Sequence, residues 1–152
     1  MKLQTADVIF VLIQFALFFL FIFEIPSFQI HIPSSIKLAG IGVAIVGLLL
    51  ILIALLQLNK NLSPFPSPKS GSHLIQNGVY KYIRHPIYTG ILFLFLGYSL
   101  YVSSGYKLVI TLLLLMLFIF KSRYEEKRLT QTFKEYTNYQ KSTGRFLPKI
   151  NR

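Results

Sequence analysis

The chain has 152 residues, of which 53% are hydrophobic and only 14% charged, and its mean hydropathy is +0.56. These values exclude an ordinary soluble domain, and the length leaves room for one membrane domain rather than several. In a soluble chain a net charge of +11 would suggest nucleic acid; without a DNA or RNA recognition motif it fits a bilayer carrying anionic lipid, and no nucleic-acid partner is expected.

Four apolar runs appear in chain order, at Val8 to Phe23, Leu38 to Leu58, Ile87 to Val102 and Leu108 to Phe120. A span takes roughly 17 to 25 apolar residues to cross a core of about 30 Å. The second run meets that alone and the first meets it with its flanks. The third is borderline, and the fourth is expected to reach across with Gly105, Tyr106 and snorkelling Lys107 and Lys121. Ser103, Ser104 and Gly105 would join the last two runs as a hairpin. The first run lacks the small residues of a cleavage site, having Glu24-Ile25-Pro26 there instead, and is read as a retained helix.

Lys and Arg set the orientation. Four of the sixteen basic residues (Lys60, Lys69, Lys81, Arg84) lie between the second and third runs, and nine lie from Lys121 onward. Positively charged loops stay in the cytoplasm, so both termini are expected there.

Inside the second run, GIGVAIVG (40 to 47) superficially resembles a dinucleotide fingerprint, but it lies in an apolar span and its spacing is wrong. Gly40 and Gly47 are seven apart, as are Gly90 and Gly97, and each pair would line one helical face where a neighbour can approach. Asn61-Leu62-Ser63 fits a glycosylation sequon yet falls in the expected cytoplasmic loop. Pro64, Pro66 and Pro68 exclude helix from that loop, leaving either a plain linker or a strap across a cytoplasmic pocket.

The stretch GVYKYIRHPIYTG (78 to 90) follows. Gly78 suits a tight turn and Pro86 the first turn of the third helix, where its missing N–H costs nothing. Arg84, His85 and Tyr88 therefore gather near a helix N-terminus, which favours anions, while Tyr80, Tyr82 and Tyr88 offer faces to a cation. These residues can serve as a membrane anchor or a ligand site.

From Tyr124 to Lys141, Leu129, Phe133 and Tyr136 recur at four and three residues, predicting an amphipathic helix at the interface. Glu125 and Glu126 flank the centre of its apolar stripe by roughly 45° and 55° on opposite sides. Either can point inward, and a carboxylate there needs a cation such as Arg84 or Lys121. The predicted class is all-α, an integral-membrane bundle of about four spans with an amphipathic C-terminal helix.

The absence of cysteine removes disulfides, thiolate nucleophiles, thiolate metal sites and a prenylation box. His31, His73 and His85 are too scattered to predict a metal site, and none is expected. The only Asp is Asp7, so Ser-His-Asp chemistry is poorly supplied.

GVYKYIRHPIYTG, the helical hairpin after it, KSRYEEKRL, the Phe133, Tyr136 and Tyr139 run, and RFLP (145 to 148) together resemble the isoprenylcysteine carboxyl methyltransferase family. Related membrane methyltransferases of phospholipid amines share the general plan. The resemblance covers about residues 59 to 149. The two N-terminal spans in residues 1–58 show no distinctive match beyond being hydrophobic; the resemblance implies a catalytic core in 59–152, and the whole reads as one domain. The resemblance further implies S-adenosylmethionine at the cytoplasmic face and a lipophilic acceptor arriving from the bilayer.

Carried over by motif, cofactor contacts fall at His73, Leu74, Ile75, Tyr80, His85, Pro86, Ile87, Tyr88 and Glu125, beside Arg84. The substrate-side Arg aligns with Lys121, and Arg123 stands two residues on. That departure puts a prenylcysteine carboxylate in doubt as the acceptor. S-adenosylmethionine carries a sulfonium, an ammonium and a carboxylate, so its pocket wants an acid, aromatic faces and an anion-binding helix end. Glu125, the tyrosines and the His85 neighbourhood supply one of each. An ammonium or thiol acceptor must first lose a proton, for which His85 or Glu126 is the nearby candidate.

The expected protein is thus a methyltransferase of the bacterial inner membrane. Its alternative is a non-enzymatic protein whose basic face binds anionic lipid.

Overall fold

The computed structural model describes residues 4–58, 63, 65–67, 71 and 73–149. Five α-helices run in chain order: α1 (Thr5–Ile22), α2 (Ser34–Leu58), α3 (Pro86–Tyr101), α4 (Gly105–Thr132) and α5 (Tyr136–Ser142). Among the described residues there is no strand, only two isolated β-bridges. The protein is an all-α integral-membrane bundle. α1, α2 and α4 are long and apolar enough to cross a bilayer. α3 has 16 residues, about 24 Å of helix at 1.5 Å per residue.

Asp7 and Gln4 close the first turn of α1, where Gln4 N donates to Asp7 Oδ2 at 2.9 Å. The buried residues of this helix, Asp7, Gln14 and Leu17, recur at seven and three and therefore share one face. That face packs on α4, while Leu12, Phe15 and Phe19 point to lipid. The core beneath is formed by Leu17 with Ile110, Leu114, Leu117 and Phe118 of α4.

α2 and α3 form the most extensive helix pair, and the glycines explain why. A Cβ on Gly40 would stand 2.7 Å from the Gly97 carbonyl oxygen, and one on Gly47 only 2.6 Å from that of Gly90. Their backbones meet without intervening side chains, which is how apolar helices gain contact in lipid. Across the bundle the order is α2, α3, α4, α1.

The α3–α4 hairpin turns through Val102, Ser103 and Ser104, where the Ser104 hydroxyl accepts from Lys107 N and caps α4. Lys107 and Lys121, expected to snorkel outward, are both turned inward. Lys107 Nζ donates to Phe21 O at 2.6 Å and Phe23 O at 2.8 Å, and pairs with Glu24 at 3.3 Å. The free carbonyls at the end of α1 offer that ammonium what water would have supplied. Lys121 donates to Gln14 Oε1 at 2.6 Å.

The helix predicted from Tyr124 to Lys141 is divided. Its first part continues α4 without a break, since KSRYEEKRL contains no residue that stops a helix. The hydroxyls of Thr130 and Thr132 then bond back to the carbonyls of Glu126 and Arg128, and regular structure ends at Phe133. α5 restarts at Tyr136, and Tyr139 donates to the Tyr80 carbonyl at 2.5 Å, folding α5 over the start of the motif.

In the proline-containing loop, Asn61 and Leu62 of the sequon, with Pro64 and Pro68, lie outside the described residues. Ser67 is described, and its hydroxyl meets both oxygens of buried Asp7 at 2.9 and 2.8 Å.

The glycine contact predicts that Gly47→Ala lowers stability by about 1–3 kcal/mol through overpacking. Gly42, with nothing within 4 Å of its would-be Cβ, is the control. Thermal unfolding in detergent should show a midpoint several degrees lower for Gly47→Ala and little change for Gly42→Ala; equal midpoints would contradict the packing.

Candidate active site

The motif is held from two sides. Gly78 takes a positive φ of 57°, so the chain turns back under α2, and Val79 N donates to Gln57 Oε1 at 3.0 Å. Tyr80 is buried against that helix, its hydroxyl 3.4 Å from the Ala54 carbonyl. From the other side, the tail after α5 runs beside the start of α3. Arg84 N donates to Gly144 O at 2.8 Å, His85 N to Arg145 O at 3.1 Å, and the Thr89 hydroxyl to Phe146 O at 2.8 Å.

At the centre lies Glu126, 3% exposed. Its carboxylate accepts from Arg84 Nη2 at 2.9 Å and Nε at 3.0 Å, and from His85 Nε2 at 3.2 Å. Arg145 Nη2 at 2.6 Å and Nε at 3.1 Å, with Gln140 Nε2 at 3.0 Å, complete the set among the described residues. Arg84 also donates to the Gln140 and Thr143 carbonyls. Its hydrogen bonds to Glu126 hold the Arg145 guanidinium above its usual range.

Glu126 was a candidate base; with both oxygens occupied by charged donors it is instead the organising charge of the site. Glu125, next in the chain, faces elsewhere. Tyr88 donates to its Oε2 at 2.9 Å, and His85 Nδ1 stands 3.7 Å away. His85 thus spans the two carboxylates. Its ring stacks on Tyr88 at 5.3 Å, and Tyr88 stacks in turn on buried Phe118 at 4.6 Å. The Lys121 ammonium lies 5.4 Å over the same Tyr88 ring.

Two cavities meet here. The first has about 690 Å³ of empty space including its mouth and is lined by His73, Leu74, Ile75, Phe65, Ser67, Tyr80, Phe133, Tyr136 and Tyr139, among others. The second, about 850 Å³, takes its walls from Gln14, Leu55, His85, Pro86, Ile87, Tyr88, Ile91 and Lys121. Leu58, Ser63, Tyr80, Arg84 and Glu125 line both. Burial, followed by the nearby Glu125 charge, pushes the Tyr80 hydroxyl above its usual range, so it stays a neutral donor. Ser63, Phe65, Pro66 and Ser67 of the proline-containing loop line the first cavity.

The expected cofactor residues all border one cavity or the other. Arg123 does not: it is exposed, about 200° around the helix from Lys121, which removes it as a cation for the same cavity. Sequence reasoning missed Gln14 and Arg145 as site residues. An isolated amide in an apolar span is a signal of internal function and marks Gln14; Arg145 belonged to a recognised motif but carried no sign of its partner. Among the described residues no group of three His, Asp or Glu side chains gathers to hold a metal ion.

Residues 36–136 match the family model for phospholipid methyltransferases. Among solved structures, the eukaryotic intramembrane Ras methyltransferase ICMT, an isoprenylcysteine carboxyl methyltransferase, is similar with a TM-score of 0.68 at 24% identity. The match covers 98% of this chain and 55% of that one, so this chain spans about half its length and the likeness is one of fold. Among curated proteins no sequence match is found.

Removing one partner of a buried ion pair costs about 3–5 kcal/mol, because the other charges remain buried. Glu126→Ala should therefore lower the thermal midpoint far more than Glu126→Gln, which keeps hydrogen-bond acceptors. A Glu126→Ala protein as stable as the wild type would show that the carboxylate organises nothing.

Proposed function

The chain belongs to the phospholipid methyltransferase family, and from that premise we propose that it transfers the methyl group of S-adenosylmethionine to a lipophilic acceptor within the membrane. The observation that carries this reading is the meeting of two dissimilar cavities at Glu125. One is rich in aromatic side chains, and the other is walled by faces of four apolar helices. A polar cofactor and a greasy acceptor need such a pair of spaces with a common boundary.

The residues present fit the cofactor. Glu125 is partly exposed at the junction and, among the described residues, holds a single close donor, Tyr88, which leaves carboxylate capacity for an ammonium. Tyr80, Phe65 and Phe133 give the first cavity flat walls for a purine, and His85 with the start of α3 stands ready for a carboxylate. When bound, S-adenosylmethionine supplies an electrophilic methyl on a sulfonium, which leaves as a neutral thioether.

Alignment and exclusion of water then make the protein's main contribution, since in-line displacement needs no protein nucleophile. Lys121, set between Gln14 and the Tyr88 face, orients an anionic group of the acceptor in the second cavity. A carboxylate acceptor attacks without losing a proton. For an amine or thiol, His85 is the proton acceptor: Glu126 accepts a hydrogen bond from Nε2–H, which leaves Nδ1 turned toward Glu125 and the second cavity. The acceptor atom itself is O, N or S.

We read residues 1–58 and 59–152 as one domain, because Gln14, Leu55 and Leu58 wall the site alongside the core. The orientation has both termini cytoplasmic in a bacterial inner membrane. Exposed Arg123, Lys127, Lys134, Lys141 and Lys149 would attract anionic lipid to that face. Such attraction supports docking of the C-terminal segment and, taken alone, is the non-enzymatic reading.

Calorimetric titration of S-adenosylmethionine into protein in nanodiscs separates these readings. A hydrogen bond to a charged group contributes about 1.5–3 kcal/mol, so Glu125→Ala should weaken binding at least tenfold in folded protein. Wild-type affinity in Glu125→Ala would sink the site. Vesicle binding that fades with salt and ignores Glu125→Gln, with no cofactor heat, would favour lipid binding alone.

A further inference from the structure

Two tyrosines of α5 sit over the first cavity, and only one has work for its hydroxyl. Tyr139 donates to the Tyr80 carbonyl. Tyr136, 1% exposed, packs its ring edge to face against Tyr139 at 5.8 Å, yet its hydroxyl is buried without a hydrogen-bond partner among the described residues. The other such atom there, Ser103 Oγ, belongs to the turn at the far end of α3.

A buried phenol without a partner carries the desolvation of its O–H uncompensated. Tyrosines normally avoid this by finding an acceptor, so an unpartnered one in a cavity wall calls for an explanation. A phenylalanine would pack the same ring without that penalty.

We propose that Tyr136 is a ligand-binding residue of the first cavity, its hydroxyl donating a hydrogen bond to an uncharged acceptor, a ring nitrogen or ribose oxygen, on the adenosine half of the cofactor. The assignment deepens the function proposed above and rests on it. Three observations support the adenosine half. Tyr136 lines the first cavity and not the second. The same cavity takes walls from Tyr80, Phe133 and Leu129, surfaces suited to a purine, as well as from Arg84 and Glu125. The charged end is already served at Glu125, on the boundary between the cavities. Burial and then the Glu126 charge push the Tyr136 hydroxyl well above its usual range, which keeps it a donor.

Tyr136→Phe tests this with three probes in nanodiscs: S-adenosylmethionine, S-adenosylhomocysteine and adenosine. One neutral hydrogen bond corresponds to a loss of roughly two- to tenfold in affinity. The expected result is a similar loss for all three probes, while the thermal midpoint of the ligand-free variant is equal to or above wild type because an unpartnered hydroxyl has gone. Affinities within twofold of wild type overturn the assignment. So does a loss of affinity accompanied by a fall in the ligand-free midpoint, which would make Tyr136 structural. A loss confined to the two probes that carry an amino-acid half moves the contact away from adenosine and also overturns it. If the wild type binds none of the probes, the function itself fails and this assignment with it, a result distinct from a wild type that binds and a variant that matches it.

Discussion

A single buried carboxylate holds together the end of this protein where α3 begins. Glu126 receives donors from the start of α3, from α5 and from the tail, while itself belonging to α4. Taking that charge out of water is costly, and only several cations at hydrogen-bond distance make it tolerable. The arrangement fixes geometry more than it adds stability. Arg84 is held by the carboxylate and by two backbone carbonyls at once, so neither the motif nor the tail can shift without breaking charged contacts.

The membrane-embedded half obeys a different rule. α2 and α3 meet through glycine backbones, where close approach replaces the hydrophobic driving force that lipid does not provide. α1 has few buried residues and is held at both ends and its middle by polar contacts: Lys107 against its last carbonyls, Lys121 against Gln14, and Tyr124 against Gln4. These lysines serve a helix that has little shape complementarity to offer. One of them, Lys121, also faces the second cavity, so holding α1 in place and presenting a cation to that space are tasks of the same side chain.

Much of this was legible before any coordinates. The four apolar runs became four helices, Pro86 opens α3, and the paired glycines face one another because seven residues return to the same side of a helix. The cluster of Arg84, His85, Tyr88 and Glu125 is brought together as its motif implied. What periodicity could not decide was which of two adjacent glutamates turned into the polar centre. Glu125 and Glu126 lie almost symmetrically about the apolar stripe, and the choice was made by Arg84 and Arg145, both distant in sequence. The break at Phe133 was hidden for a similar reason. Leu129, Phe133 and Tyr136 keep helical spacing across it, and the restart is stabilised by contacts of Tyr139 with a segment nearly sixty residues earlier. The inward lysines escaped because snorkelling is the default for a long basic side chain, and the free carbonyls of another helix are invisible in a linear reading.

The pairing of residues 144–146 with 83–89 makes the polar end of the molecule a late assembly. Arg84 and Arg145 lie far apart in sequence, with α3 and α4 between them, so both can reach Glu126 only once those helices stand side by side. The glycine seam between α2 and α3 needs no such contact, and the apolar bundle can pack while this end is still open. Order therefore spreads from the lipid-facing half to the polar one, and the site takes shape last.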